Sequence, residues 1–293
     1  MRNKLIGLVV ASALSICMGS SPGLAGSVTQ PGETVGIPAG APLPEGLYFA
    51  NTADWGCRNT TPASCFGITI PIVTWSTPWT FLGARVQFFS VTPVAESGVS
   101  NASYDASFFN PALFGQLAWN LGNGFGVSYA LGAYVGVDQA VAFSSTSFNQ
   151  RFALSYTGND WDLTANLIYG TQLDSLTNQP QISPCPVPFG LKGCNPDFLN
   201  LDLTATKKLG KWEVGAVAYG STDLTSPIAG YQKQSQFAAG GLVGYDFGPI
   251  KLQVYATTNV VEHNYGGTDT RGWFRMIVPI WTPAPPQPLV TKG

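Results

Sequence analysis

The chain has 293 residues, a formal net charge of −2, 45% hydrophobic residues and only 10% charged ones, where a soluble domain carries about 25% charged. The charge deficit argues against a soluble domain, and the mildly acidic balance argues against a nucleic-acid partner. No apolar run approaches the ~20 residues of a membrane-spanning helix, which excludes the helical class of membrane protein.

In chain order, Arg2 and Lys4 precede an apolar run from Leu5 to Met18 and then Gly23-Leu24-Ala25, the pattern of a secretory signal cut after Ala25. The 14 basic residues then lose Arg2 and Lys4, and against 16 acidic residues the net charge becomes about −4. A lipoprotein anchor at Cys17 is disfavoured because Ile16 stands where a small residue is wanted. Residues 26–46 follow, with Pro31, Pro38, Pro42 and Pro44 among Gly32, Gly36 and Gly40. Such a segment cannot form a regular ladder. It reads either as a periplasmic leader or as a plug folded back into a lumen, where irregular backbone is tolerated because protein surrounds it.

From Leu47 to Trp281 the sequence breaks into short segments of alternating polarity. Trp161, Leu163, Ala165, Leu167 and Tyr169 point one way while Asp162, Thr164 and Asn166 point the other, and only Ile168 breaks the pattern. Leu199 to Thr206 and Ile250 to Val260 alternate in the same way, as does Phe125 to Asp138. A period of two puts one face of a strand toward oil and the other toward water. Tight joints are expected at Trp75–Trp79, Leu121–Phe125, Gly158–Trp161, Leu209–Trp212 and Phe247–Ile250. Long polar connections are expected at Thr52–Cys65, Ala95–Ser107, Gln139–Ser147, Gln172–Pro196, Thr222–Lys233 and Glu262–Thr270.

A soluble antiparallel sandwich alternates too. It has no reason to crowd Trp75, Trp79, Trp119, Phe125, Trp161, Trp212 and Phe247 at its short joints, whereas a membrane barrel carries such a girdle at its interfaces. The expectation is an all-β, twelve-stranded antiparallel transmembrane β-barrel over residues 47–281, with short periplasmic turns and long outer loops, in the bacterial outer membrane. Residues 282–293 read as a Pro-rich tail. Its partners are then the lipid bilayer, the outer-membrane assembly machinery and a small-molecule solute.

The polar faces supply the candidate lumen or solute pathway: Arg85, Gln87, Arg151, Asp162, Asn166, Asp202, Glu213, Tyr219, Lys251 and Tyr255, with Gln116, Ser128, Asn149, Asn200, Gln253, Asn259 and Arg275 beside them. A charge on the lipid face at mid-depth costs ~2–4 kcal/mol, so these side chains look inward. They either form a lumen-filling ion-pair network or line a path. Ala130, Gly132, Gly136, Ala238, Gly240 and Gly244 leave room on two inward faces, or pack and bend those strands.

After the signal is lost, Cys57 with Cys65 and Cys185 with Cys194 form two local pairs in loops of an exported chain, the pattern of disulfides. Their spacing does not suit a metal site, and no metal or cofactor is expected. The single histidine, His263, has only Ser235 on a neighbouring strand as a nucleophile at its level, which makes an esterase the weakest of the functional readings.

The stretches Val73-Thr74-Trp75-Ser76-Thr77-Pro78-Trp79, Phe109-Asn110-Pro111, Asn149-Gln150-Arg151-Phe152-Ala153-Leu154-Ser155-Tyr156, Asn195-Pro196-Asp197-Phe198-Leu199-Asn200-Leu201-Asp202 and Asp269-Thr270-Arg271-Gly272-Trp273 resemble the MetA-pathway-of-phenol-degradation family of bacterial outer-membrane proteins. The resemblance runs from Gly46 to Trp281 and implies uptake of aromatic or other hydrophobic compounds without defining site residues. Passive uptake through a channel is therefore the expected function, with a closed surface-interaction barrel as the alternative.

Overall fold

A computed structural model describes residues 27–137, 139–141, 146–173, 195–226 and 231–283. The segment expected to be a signal, the expected pair Cys185 and Cys194, and all of the chain beyond residue 283 lie outside the described residues.

The described chain is a closed β-barrel of β1 (Gly46–Arg58), β2 (Ser64–Phe81), β3 (Ala84–Val91), β4 (Val94–Val99), β5 (Ser103–Phe108), β6 (Ala112–Gly122), β7 (Phe125–Tyr134), β8 (Ser147–Tyr156), β9 (Trp161–Gln172), β10 (Phe198–Leu209), β11 (Trp212–Asp223), β12 (Ser235–Asp246), β13 (Lys251–His263) and β14 (Asp269–Trp281). All neighbours are antiparallel, and β1 pairs with both β2 and β14, so the sheet closes on itself.

The fourteen segments make twelve staves. β2 pairs with β4 through Thr69↔Val94 and with β3 through Ile72↔Val91, three residues further along each side, so β3 and β4 are one strand interrupted at Pro93. β5 and β6 form the next stave. From Val94↔Phe108 to Val91↔Ala112 one side advances three residues and the other four, so an extra residue is taken up at Phe109–Pro111. Prolines sit at these breaks because they cannot donate to a ladder.

The alternation read along β9 and β10 holds in space. Asp162, Thr164, Asn166, Asn200, Asp202, Thr204 and Thr206 are buried toward the lumen, while Leu163 and Leu167 are exposed on the outside. Aromatic pairs gather at the short-turn end: Trp75 with Trp79 (5.1 Å), Phe125 with Tyr156 (4.8 Å), and Trp212 with Tyr245 (4.8 Å).

Three connections differ from the sequence expectation. Trp75–Trp79 is not a joint but part of β2, and the chain turns at Leu82 (φ 50°) and Gly83 (φ 78°). The two left-handed residues give a tight hairpin the twist its strands require, and Pro78 is absorbed where the β2–β3 register shifts. Thr52–Cys65 and Ala95–Ser107 are largely ladder, since β1 and β2 run to Arg58 and from Ser64, and β4 and β5 meet around residues 100–102. Polar side chains on both faces of these strands, such as Glu96 and Ser97 on β4, hide the alternation.

The lumen is not empty. Residues 27–45 run through it as successive turns, with main-chain bonds Gln30 to Glu33, Thr34 to Ile37 and Pro38 to Ala41. Several of their polar groups bond to the wall. Ser76 Oγ donates to Leu43 O (2.9 Å) and Ser128 Oγ to Ala39 O (2.7 Å) near the short-turn end; Gly36 N donates to Thr204 Oγ1 (2.7 Å) at mid-height; and Asn200 donates to Ser27 Oγ (2.9 Å) near the outer mouth. Two apolar clusters flank this segment, one of Val28 with Phe66, Ile68, Ile70, Phe114 and Phe198, the other of Val35 with Tyr219, Leu242, Tyr255 and Trp273.

Candidate functional site

The wall residues converge on a short stretch of the internal segment, Gly32 to Gly36. Asp202, on β10, accepts from Gly32 N (2.8 Å), Thr34 N (2.9 Å) and Thr34 Oγ1 (2.6 Å). Three donors on one carboxylate is the arrangement that compensates a buried charge. Two strands along the wall, Arg151, on β8, makes an ion pair with Glu33 (2.7 Å) and donates to Asn149 and the Tyr134 hydroxyl. Asn166 donates to Thr34 Oγ1 (3.0 Å), and its Oδ1 is buried without a hydrogen-bond partner.

On the third side stands an aromatic and guanidinium surface. Tyr255 and Trp273 stack with centroids 5.0 Å apart, Tyr219 meets Trp273 edge-on at 5.8 Å, and the Arg275 guanidinium lies 5.5 Å from the Tyr255 ring. Arg275, fully buried, donates to the main-chain carbonyls of Glu33 and Val35 and to the Tyr255 hydroxyl. Gly32 lies against this surface with φ +89°, and a Cβ there would sit 2.6 Å from the Tyr219 ring, so only glycine lets the turn seat.

The remaining sequence candidates lie at other levels of the lumen. Glu213 pairs with Lys251 (2.7 Å) and accepts from Thr206 and Gln253 near the short-turn end. Gln87 bonds to Ser76 and Gln116. Asp162 accepts from Thr164 (2.7 Å), and Arg85 donates to Thr77 O (2.7 Å). Of the named set, Arg151, Asn166, Asp202, Tyr219 and Tyr255 are brought together around one turn; Arg85, Gln87, Asp162, Glu213 and Lys251 are not.

Sequence reasoning passed over Glu33 and a buried triad in which Arg271 pairs with Asp54 and, at 2.7 Å, with Asp269. Arg271 has the parity of Trp273 and Arg275 in β14, a usable signal. Asp54 was hidden by the reading of Thr52–Cys65 as a loop. The alternation also failed on β2, whose inward residues Phe66, Ile68 and Ile70 are apolar.

At the outer rim Cys57 and Cys65 form a disulfide between β1 and β2. Arg58 lies 4.3 Å from the Tyr265 ring, and burial raises that phenol's pKa. Ser235 is the register partner of His263, and His263 is exposed. Among the described residues no group of three or more His, Cys, Asp or Glu could hold a metal.

Between the internal segment and the wall is a cavity of about 210 Å³. Ile37, Leu43, Ile72, Phe89, Ala153 and Ile277 give it apolar walls, and Arg151, Asn166, Gln87 and Gln116 place a few polar groups on them.

Among solved structures, an outer membrane channel from Pseudomonas putida F1 has the same fold, with a TM-score of 0.60 at 10% identity, covering 85% of this chain and 99% of that one. The NanC porin aligns with a TM-score of 0.48 at 10% identity, over 78% of this chain and 98% of that one. The translocator domain of the autotransporter NalP from Neisseria meningitidis aligns at 0.45 and 12% identity, over 80% and 89%. No curated protein matches the sequence. The profile of the family described by the MetA pathway of phenol degradation matches residues 64–276. This twelve-stranded outer-membrane β-barrel belongs to the MetA-pathway of phenol degradation family.

Proposed function

We propose that the protein is an outer-membrane channel for passive uptake of small hydrophobic or aromatic compounds, with residues 27–45 as the plug that sets its bore. The observation that carries this reading is the cavity of about 210 Å³ between that segment and the wall. An apolar cavity of ~150 Å³ is enough to hold benzene, so this one suits a single substituted ring. Its polar groups are few, as in sites where apolar walls supply affinity and a small number of polar atoms fix orientation. Asn166, whose buried Oδ1 has no hydrogen-bond partner, is among the few polar residues on the cavity wall. The family's association with phenol degradation and the fold shared with an outer membrane channel support the same direction. A solute gradient suffices to drive the passage.

The alternative, a closed barrel whose outer loops are the working surface, draws on the same internal segment, because it fills much of the lumen. Single-channel recording in planar bilayers separates the two. A channel gives discrete current steps that phenol interrupts with brief blockades. Silent membranes containing correctly folded, heat-modifiable protein would overturn the channel reading.

A further inference from the structure

Resting on the channel reading, we propose that the solute is a single-ring aromatic carboxylate, and that Glu33 is its internal stand-in on Arg151. Arg151 lies at mid-lumen with its guanidinium 4.5 Å from the Phe114 ring and 5.7 Å from the Phe89 ring, and it borders the cavity. Its ionic partner is the Glu33 carboxylate, at 2.7 Å. A guanidinium buried this deeply is costly without an anion. Any molecule that displaces the Gly32–Gly36 turn must therefore bring a replacement for that carboxylate.

Arg275 points to the same chemistry. It takes two carbonyl oxygens of the turn, from Glu33 and Val35, and no carboxylate of the described residues pairs with it. Withdrawal of the turn takes from Arg151 its ionic partner and from Arg275 two of its acceptors. Arg151 is then left with the neutral partners Asn149 and Tyr134, and an anionic solute restores the lost ion pair where a neutral compound does not.

The cavity beside Arg151 supplies the other half of the specificity. Ile37, Ile72, Phe89 and Ile277 form its apolar walls, so a ring fills it while a small aliphatic acid leaves those walls wet. A bound aromatic acid places its ring against these side chains and its carboxylate where Glu33 now lies. Solute and plug residue compete for one cation, so the solute itself loosens the plug.

The test uses the full-length protein with benzoate as probe, benzyl alcohol as its neutral counterpart and acetate as the anion without a ring. Binding is read by calorimetry in detergent and by blockade of single-channel current. Benzoate is expected to bind in preference to both controls. Glu33→Gln removes the competing charge and is expected to tighten benzoate binding by about tenfold or more, the scale of one charged hydrogen bond, with benzyl alcohol unaffected. Arg151→Gln, scored only where heat-modifiable folding is retained, is expected to erase the preference for benzoate over benzyl alcohol.

Equal binding of benzoate and benzyl alcohol, or no gain in Glu33→Gln, overturns the carboxylate assignment while the channel reading stands. Binding of acetate as tightly as benzoate overturns the requirement for a ring. Absence of current and of binding by every probe overturns the channel reading itself.

Discussion

Asp202 and Arg271 illustrate two uses of buried charge in this lumen. Asp202 accepts three hydrogen bonds from Gly32 and Thr34, so its partner is the internal segment and not the wall. Asp202→Ala is expected to free that segment, seen as new protease cleavage between residues 27 and 45 and a larger single-channel conductance, with heat-modifiable barrel folding intact. Arg271 is a different case, because Asp54, Asp269 and the Phe66 carbonyl are all parts of the wall. Arg271→Ala leaves two buried carboxylates without their cation, and such a change costs about 3–5 kcal/mol. Urea unfolding in lipid vesicles should show that loss with little change in conductance. Asp202 was legible in the sequence because a clean alternation surrounds it; the partner it holds, 168 residues away, was not.

Elements were legible in proportion to how fully lipid faces them. β9 and β10 cross the bilayer with one face in oil, and each was found from parity alone. β2 was misread because Trp75 and Trp79 suggested an interfacial joint, whereas the ladder runs on to Phe81 and Pro71 and Pro78 are accommodated at irregular points. The inward apolar residues of β2 serve the packing around Val28, a contact that leaves no periodic trace. Two element-scale tests follow. Leu167→Arg, on the lipid face of β9, should destabilise the barrel by ~2–4 kcal/mol near mid-depth, measured by folding titration into vesicles. Gly32→Val forces a branched side chain into a left-handed backbone position against the Tyr219 ring. It is expected to unseat the turn and raise conductance as Asp202→Ala does, with an unchanged folding titration.

At the scale of the whole molecule, closure of the barrel does not depend on what fills it. β1 joins β2 and β14 through strand-to-strand ladders that involve no residue of 27–45. Deletion of residues 27–44 should therefore leave a heat-modifiable barrel and increase conductance several-fold; a protein unable to fold would show the internal segment to be part of the fold's nucleus. The sequence by itself determined the class of solvent, the strand period, the twelve-stave closed sheet and the inward parity of Arg151, Asp202 and Tyr255, because lipid imposes a local, alternating constraint on every spanning strand. Only the tertiary structure decided where the Pro- and Gly-rich segment goes and which lumen charges it engages. A segment without ladder bonds carries no periodic signal, and its place is set by hydrogen bonds to side chains from strands far apart in the chain, which become neighbours only when the sheet closes.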